Sequence, residues 1–340
     1  MIYLAILLLR QEEKETEDSK KLKSIIISIY LCYYIRLVDT KKRSNFESEL
    51  KNDFIRLANY KYDNLDNNDS KGKLGIKYDS TLLKNIELSL KINITDLKDF
   101  QFSKILIEEE DFILNNIKLE KGIGKNNSLK ENIFLLFVAI VTKIPLTIIG
   151  KPGSSKSLSV QLICKEMNGK YSRSDFFKNY PSIIENYFQG SDSTTPEDVE
   201  GIFEKAEGRL GELKKKNKND INMPISMILF DELGLAETSK YNPLKVLHSH
   251  LEMDGNEKGV SFIGISNWTL DPAKINRTLT LSVPDLDENI DDLKFTSLSI
   301  VESINIDFKK HKIFSQILPN VYFYFKTNFK KLKMLMIYKK

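Results

Sequence analysis

Residues 150–157 are Gly150, Lys151, Pro152, Gly153, Ser154, Ser155, Lys156 and Ser157. A loop that wraps phosphates is written Gly, four free positions, Gly, Lys, then Ser or Thr. A glycine-rich turn lets consecutive N–H groups surround the phosphates at a helix N-terminus. The segment meets this pattern except at its sixth position, where Ser155 replaces glycine. In that chemistry Lys156 sits on the β- and γ-phosphates and Ser157 offers its hydroxyl to Mg2+. Seventy-five residues past Lys156, an apolar run from Met227 to Phe230 meets Asp231 and Glu232. Two adjacent carboxylates at a buried strand end are costly unless something positive lies beside them, which Mg2+ with ATP provides. Asp231 would hold the metal through water, and Glu232 would polarise the attacking water as general base. Thirty-six residues beyond Asp231, a third apolar run, Val260 to Ile265, leads through Ser266 to Asn267 and Trp268. The Asn267 amide could orient the attacking water, although alone it reads as an ordinary turn residue. Arg277 follows in the segment DPAKINR. Its planar fork suits charge stabilisation of a transferring phosphoryl group, and the plain alternative is a solvated surface charge.

These groups need rigid elements to converge. Short, fully apolar runs suit strands buried on both faces of a parallel sheet. Here they are Pro145–Ile149, Met227–Phe230 and Val260–Ile265, each ending in a polar residue at the strand's carboxyl end, where open parallel sheets place their ligands. Helical patterns begin near Leu129 and near Lys156, and Thr195, Pro196, Glu197 and Asp198 form a helix start. Alternation of strand and helix over residues 121 to about 285 predicts an α/β fold with helices flanking a parallel sheet. Ahead of it, residues 1–120 read as mainly helical: Ile25, Ile29, Cys32 or Tyr33, and Arg36 recur at helical spacing, as do Phe54, Leu57 and Ala58. The polar stretch Asn64–Lys73 reads as a loop, and Lys214–Lys218 as a solvated one.

The four signals, in this order, are diagnostic of ATPases with a catalytic Glu beside a metal-binding Asp. The segments KENIFLLFVAIVTKIPLTIIGKPGSSKSL, YFQGSDSTTPEDVEGIF, ILFDELGLAE, NPLKVLHSHLE and GISNWTLDPAKINR resemble an AAA+ unit of the mysterin family, giant RING-finger E3 ubiquitin ligases with a dynein-like AAA+ array. The resemblance covers roughly residues 120–285, and the Ser-Ser-Lys-Ser form of the loop is itself a feature of that family. LCYYIRL resembles, more weakly, the end of a preceding unit.

The resemblance implies a P-loop NTPase of AAA+ type that binds and hydrolyses ATP with Mg2+, divided as follows. Residues 1–120 form the helical end of a preceding unit and a linker, 121–290 the AAA+ core, and 291–340 a Lys-rich tail in place of a full C-terminal lid. It implies nucleotide contact from Gly150 through Leu158, metal contact from Ser157 and Asp231, and catalytic roles for Glu232, Asn267 as γ-phosphate sensor, and Arg277 across a unit boundary. Gly122–Asn126 occupies the place of the family's adenine contact, or is a flexible link. Ser191–Glu200 matches an insertion facing the centre of the ring. Implied partners are other AAA+ units, in cis or in trans, and the ubiquitin machinery. A scaffold that binds nucleotide without turnover is one rival reading, because Arg277 is the last arginine and leaves no second sensor downstream, and E3 ubiquitin-protein ligase activity by family membership only is another. The same features lead us to expect a fragment of a longer protein.

Composition narrows the class further. The chain has 340 residues with 51 basic and 47 acidic groups, a net charge of +4. Nine lysines and no acidic residue follow Asp307, so the first 308 residues carry 42 basic against 47 acidic groups, a net of −5. That argues against a globally basic nucleic-acid binder. The opening run MIYLAILLL and the run Ser24–Leu37 fall well short of the roughly 20 apolar residues of a membrane span. The second reads as a buried helix, so no membrane span is expected and a cytoplasmic location is. Cys32 and Cys164, 132 positions apart in apolar settings, read as buried thiols rather than a disulfide. Two cysteines cannot form a RING-type zinc site. His248 and His250 read as surface or packing residues, and His311 is isolated.

Overall fold

The computed structural model describes residues 17–65, 103–216, 223–252, 260–284, 290–303, 317–322 and 324. They fall into two compact units, Met1–Glu109 and Glu110–Lys340.

In the first unit, α1 (Glu17–Cys32) runs into a 3-10 turn, Tyr34–Arg36, and then α2 (Thr40–Leu65). Tyr30, Tyr34 and Phe46 form an aromatic cluster with ring centroids 4.8 to 6.1 Å apart. Arg43 donates from Nε to the Leu37 carbonyl at 2.7 Å and lies over the Tyr34 ring. The buried stripe is Ile26, Ile27, Tyr30, Leu31 and Ile35, whereas Ile25 and Tyr33 are exposed. The helix expected from the spacing of Ile25, Ile29 and Tyr33 is present, with Ile25 and Tyr33 on its outward side. Cys32 is exposed, not buried, because it shares that outward side. Phe54, Leu57 and Ala58 lie in α2 with side chains outside the described residues. The opening run, most of the 64–73 segment and His311 lie outside them too.

Helix α3 (Ser103–Asn115) contains the division between the units. In the second unit, α4 (Asn127–Thr142) precedes β1 (Leu146–Ile149), and α5 (Lys156–Glu166) follows it. Then come β2 (Ile183–Gln189), α6 (Pro196–Lys216), β3 (Ile225–Asp231), α7 (Leu233–Glu237), α8 (Leu247–Leu251), β4 (Val260–Ser266), α9 (Pro272–Ile275), β5 (Leu279–Ser282) and α10 (Ile290–Ser303). The five strands form one parallel sheet in the order β2-β3-β4-β1-β5. β1 is buried throughout, and β3 and β4 are buried at all but one residue each, as strands covered on both faces must be. The fold is thus the α/β, P-loop sheet of the AAA+ type flanked by helices.

Local chemistry explains the element ends. Asn126 caps α4, its side chain accepting the Leu129 N–H at 2.8 Å. At α6, Thr195 and Asp198 exchange bonds, the Thr195 N–H donating to Asp198 Oδ2 at 2.8 Å and the Asp198 N–H to Thr195 Oγ1 at 3.3 Å. Helix α6 then runs through Lys214–Lys216, which the sequence reading placed in a loop. Lysine is a good helix former, and nothing there breaks the ladder. Val199, Ile202, Phe203 and Ala206 of α6 pack with Ile228, Phe230 and Phe262 of the sheet. Under the edge strand β2, buried Asn186 donates to Ser226 Oγ at 3.0 Å and accepts from Arg209 at 2.7 Å, pinning α6 there. His250 stacks on Phe203 and bonds Glu200, and His248 Nε2 is buried without a partner among the described residues, so both are packing residues.

Candidate functional site

Strand order decides what meets. β4 lies between β3 and β1, so Asn267 follows the central strand, with Asp231 and Glu232 at the tip on one side and the 150–155 loop on the other. The Gly150 N–H donates to the Ser266 carbonyl at 3.1 Å, and the Val283 N–H to the Ile149 carbonyl at 2.8 Å, which fixes the base of the loop to both neighbouring strands.

The loop has the geometry that phosphate binding asks for. A Cβ at Gly150 would stand 2.8 Å from Ser154 Oγ and 3.0 Å from Val283 Cβ, so only glycine fits. Gly153 has φ +87°, and nothing would lie within 4 Å of a Cβ there, which leaves the turn open above its backbone. Ser155 has φ 60° and ψ 15°, the left-handed conformation that the usual glycine adopts freely. The departure from the general pattern therefore changes the residue and keeps the geometry. Helix α5 begins at Lys156, so its N-terminal end faces the loop.

Lys156 Nζ donates to the Gly150 carbonyl at 2.6 Å, the Lys151 carbonyl at 2.9 Å and Ser154 Oγ at 3.3 Å. Burial lowers its pKa from the ordinary lysine value, against the opposing pull of Glu232 and Asp231. The ammonium therefore belongs to the same electrostatic site as both carboxylates. Ser157 is exposed on the first turn of α5, and Leu158 is half-buried behind it.

Asp231 Oδ1 accepts the Glu232 N–H at 2.9 Å, and the Asp231 carbonyl accepts the Gly190 N–H at 2.8 Å. Glu232 itself is left-handed, with φ 52° and ψ 41°. A side chain held in that region costs on the order of 1 kcal/mol and marks places where function dictates the backbone. Both carboxylate oxygens of Glu232 accept from Asn267 Nδ2, at 3.0 and 3.1 Å. Behind them Trp268 lies against Gly234: a Cβ there would come within 2.6 Å of Trp268 Cε2.

Of the residues the sequence singled out, the structure brings Gly150–Ser155, Lys156, Asp231, Glu232 and Asn267 together. Arg277 is elsewhere engaged, donating from Nε and Nη2 to Glu252 Oε1, the former at 2.9 Å. The 122–126 segment is no loose link: Gly124 approaches α10 so closely that a Cβ would stand 2.9 Å from Thr296 Cα. Asn126 Nδ2 donates to Thr296 Oγ1 at 3.1 Å, and the Asn127 N–H to Asp292 Oδ1 at 3.0 Å.

Two further residues escaped the sequence reading. Tyr187 projects from β2 near Asp231, Glu232 and Glu185. Its hydroxyl pKa is raised by partial burial and, after that, by those carboxylates. Its signal was the outward alternation of Glu185, Tyr187 and Gln189. The other is Asn132, an amide within the apolar stretch of α4.

A serine hydroxyl and an aspartate carboxylate are the hard oxygen donors Mg2+ prefers, so Ser157 and Asp231 fit it chemically. Among the described residues no three His, Cys, Asp or Glu side chains group as a metal cage, and a phosphate-bound Mg2+ needs none. Among them, too, no helix is long and apolar enough to cross a membrane.

Residues 122–290 match the family described as the RNF213 AAA domain. The E3 ubiquitin-protein ligase RNF213 of Homo sapiens is 37% identical over 220 residues, covering 62% of this chain and 4% of that protein. The E3 ubiquitin-protein ligase rnf213-beta of Danio rerio is 42% identical over 201 residues, covering 57% of this chain and 4% of that protein. The chain thus spans about one twenty-fifth of the length of these curated relatives. Among solved structures, Rhizobiales Trip13 overlaps at a TM-score of 0.33 and 14% identity, covering 55% of this chain and 59% of that one. PCH-2 of C. elegans overlaps at 0.32 and 16%, covering 59% and 53%.

Proposed function

Because residues 122–290 belong to the RNF213 AAA domain family, the mysterin family of the motif reading, we propose that this chain binds ATP at the tips of β1, β3 and β4 and hydrolyses it. The observation that supports this best is the junction of Lys156, Asp231, Glu232 and Asn267 at three adjacent strand ends.

In this reading the loop from Gly150 to Ser155 binds the phosphates through its N–H groups, Lys156 turns its ammonium onto the β- and γ-phosphates, and Leu158 backs the first turn of α5. Ser157 and Asp231 hold Mg2+, which when bound neutralises charge on the phosphates. Glu232 takes the proton from the attacking water, and Asn267, already on both Glu232 oxygens, fixes that carboxylate's aim and senses the γ-phosphate. Arg277 serves a neighbouring AAA+ unit, in cis or in trans, once released from Glu252. Residues 1–120 act as the end of a preceding unit and linker, 121–290 as the core, and 291–340 as an atypical lid to which α10 contributes.

The module works in a cytoplasmic RNF213-like ligase whose ubiquitin chemistry lies outside this chain. A second reading, a scaffold that binds nucleotide without turnover, is favoured by the Arg277–Glu252 pair, which engages the finger arginine elsewhere. Steady-state phosphate release separates the two. In the first reading Lys156→Ala loses ATP binding, while Glu232→Gln keeps binding and stops release. Unchanged ATP affinity in Lys156→Ala would remove the proposal.

A further inference from the structure

Helix α4 carries one amide where a hydrocarbon would serve the core better. Asn132 is 0% exposed, and residues 133–140 that follow it are Ile, Phe, Leu, Leu, Phe, Val, Ala and Ile, all buried. Its Oδ1 has no hydrogen-bond partner among the described residues. Burying an amide with half its bonding capacity unmet is unfavourable, and a leucine of similar size would avoid that cost. The other half explains its presence: Nδ2 donates to the main-chain carbonyl of Ser154, at 2.9 Å, inside the phosphate loop.

The Ser154 carbonyl and the Ser155 N–H belong to one planar trans peptide and point in opposite directions. Asn132 draws the carbonyl toward the buried interior, so the Ser155 N–H is turned outward, to the concave side of the loop. The same peptide leads into the left-handed backbone of Ser155, φ 60°. Ser154 is held at two other atoms: its N–H donates to the Lys151 carbonyl at 3.2 Å, and its Oγ accepts from Lys156 Nζ at 3.3 Å. Among the described residues, only the Asn132 bond fixes the rotation of the 154–155 peptide from outside the loop.

We propose that Asn132 is a positioning residue for the phosphate loop, aiming the Ser155 N–H at a phosphate oxygen of the bound nucleotide. The proposal rests on the nucleotide-binding reading above. It predicts an effect confined to ligands that carry phosphates.

The test compares wild type, Asn132→Leu and Lys156→Ala by calorimetric titration with ADP, ATP and adenosine, alongside thermal melting. For Asn132→Leu the Kd for ADP and for ATP should rise about tenfold, the equivalent of one hydrogen bond. Adenosine affinity should match wild type, and the melting midpoint should stay within a few degrees. Wild-type ADP affinity in Asn132→Leu, or an equal loss for adenosine and ADP, overturns the proposal. If wild type and Lys156→Ala titrate alike with ADP, the nucleotide-binding reading itself has failed, and this proposal with it. Should Asn132→Leu not fold, Asn132→Ala carries the same comparison, since it removes the amide without adding bulk.

Discussion

Replacing Ser155 by glycine should stabilise the nucleotide-binding unit. Ser155 occupies φ 60°, ψ 15°, and its side chain makes no capping hydrogen bond, so the substitution relieves strain and sacrifices no contact of that kind. Left-handed backbone costs a residue with a Cβ about 1.5 kcal/mol relative to glycine. Glycine also loosens the unfolded chain, which takes back about 0.7 kcal/mol. About 0.8 kcal/mol of net stabilisation remains, or about 2 °C in melting temperature for a unit of this size. Differential scanning calorimetry on wild type, Ser155→Gly and Ser155→Ala provides the measurement. Ser155→Ala keeps the Cβ and should melt close to wild type. Were alanine to raise the midpoint as much as glycine, or glycine to lower it, backbone strain at Ser155 would be the wrong account of this position.

Three other consequences can be checked directly. Gly234→Ala would drive a methyl into the Trp268 ring, at 2.6 Å from Cε2, and overpacking of that kind costs about 1–3 kcal/mol, readable in urea denaturation. Burial and, less, the Glu185 charge push the Cys164 thiol up to about 12 from 9.0, whereas Cys32 is exposed. Iodoacetamide at pH 8.5 should thus label Cys32 and spare Cys164, as peptide mass spectrometry would show. The same shift makes the folded state hold a proton that the unfolded state releases above pH 9, so Cys164 lowers stability as pH rises from 9 toward 12, by up to about 1.4 kcal/mol per pH unit, and Cys164→Ala should lessen the alkaline slope by that contribution.

Most of the site was legible because its residues sit where short apolar runs end. Asp231 ends a buried strand, Glu232 and Asn267 each follow one, and a strand's end is a local property of sequence. Their neighbour relations are set by strand order, which the residues of one strand do not encode. The edge strands β2 and β5 were missed, since Glu185, Asn186, Tyr187 and Gln189 break the apolar run in the first, and Thr280 and Ser282 alternate with the two leucines of the second. In α1 the isoleucines and tyrosines lie on several sides of the helix, so spacing alone does not select the buried one. Contacts between distant segments were out of reach altogether: nothing near Arg277 points to Glu252, and nothing near Asn132 points to Ser154, 22 residues on.

Trp268 is the sole tryptophan of the chain. Its indole lies against the backbone of Gly234, two residues from Glu232, and follows Asn267 directly. Emission excited in the indole band therefore arises at one place, beside the groups that face the γ-phosphate in our reading. A shift of the Glu232 segment against the end of β4 would change the solvent around that ring, and so the wavelength and yield of its light. The protein thus carries its own optical reporter, and stopped-flow mixing with nucleotide can follow events at the site without an added label.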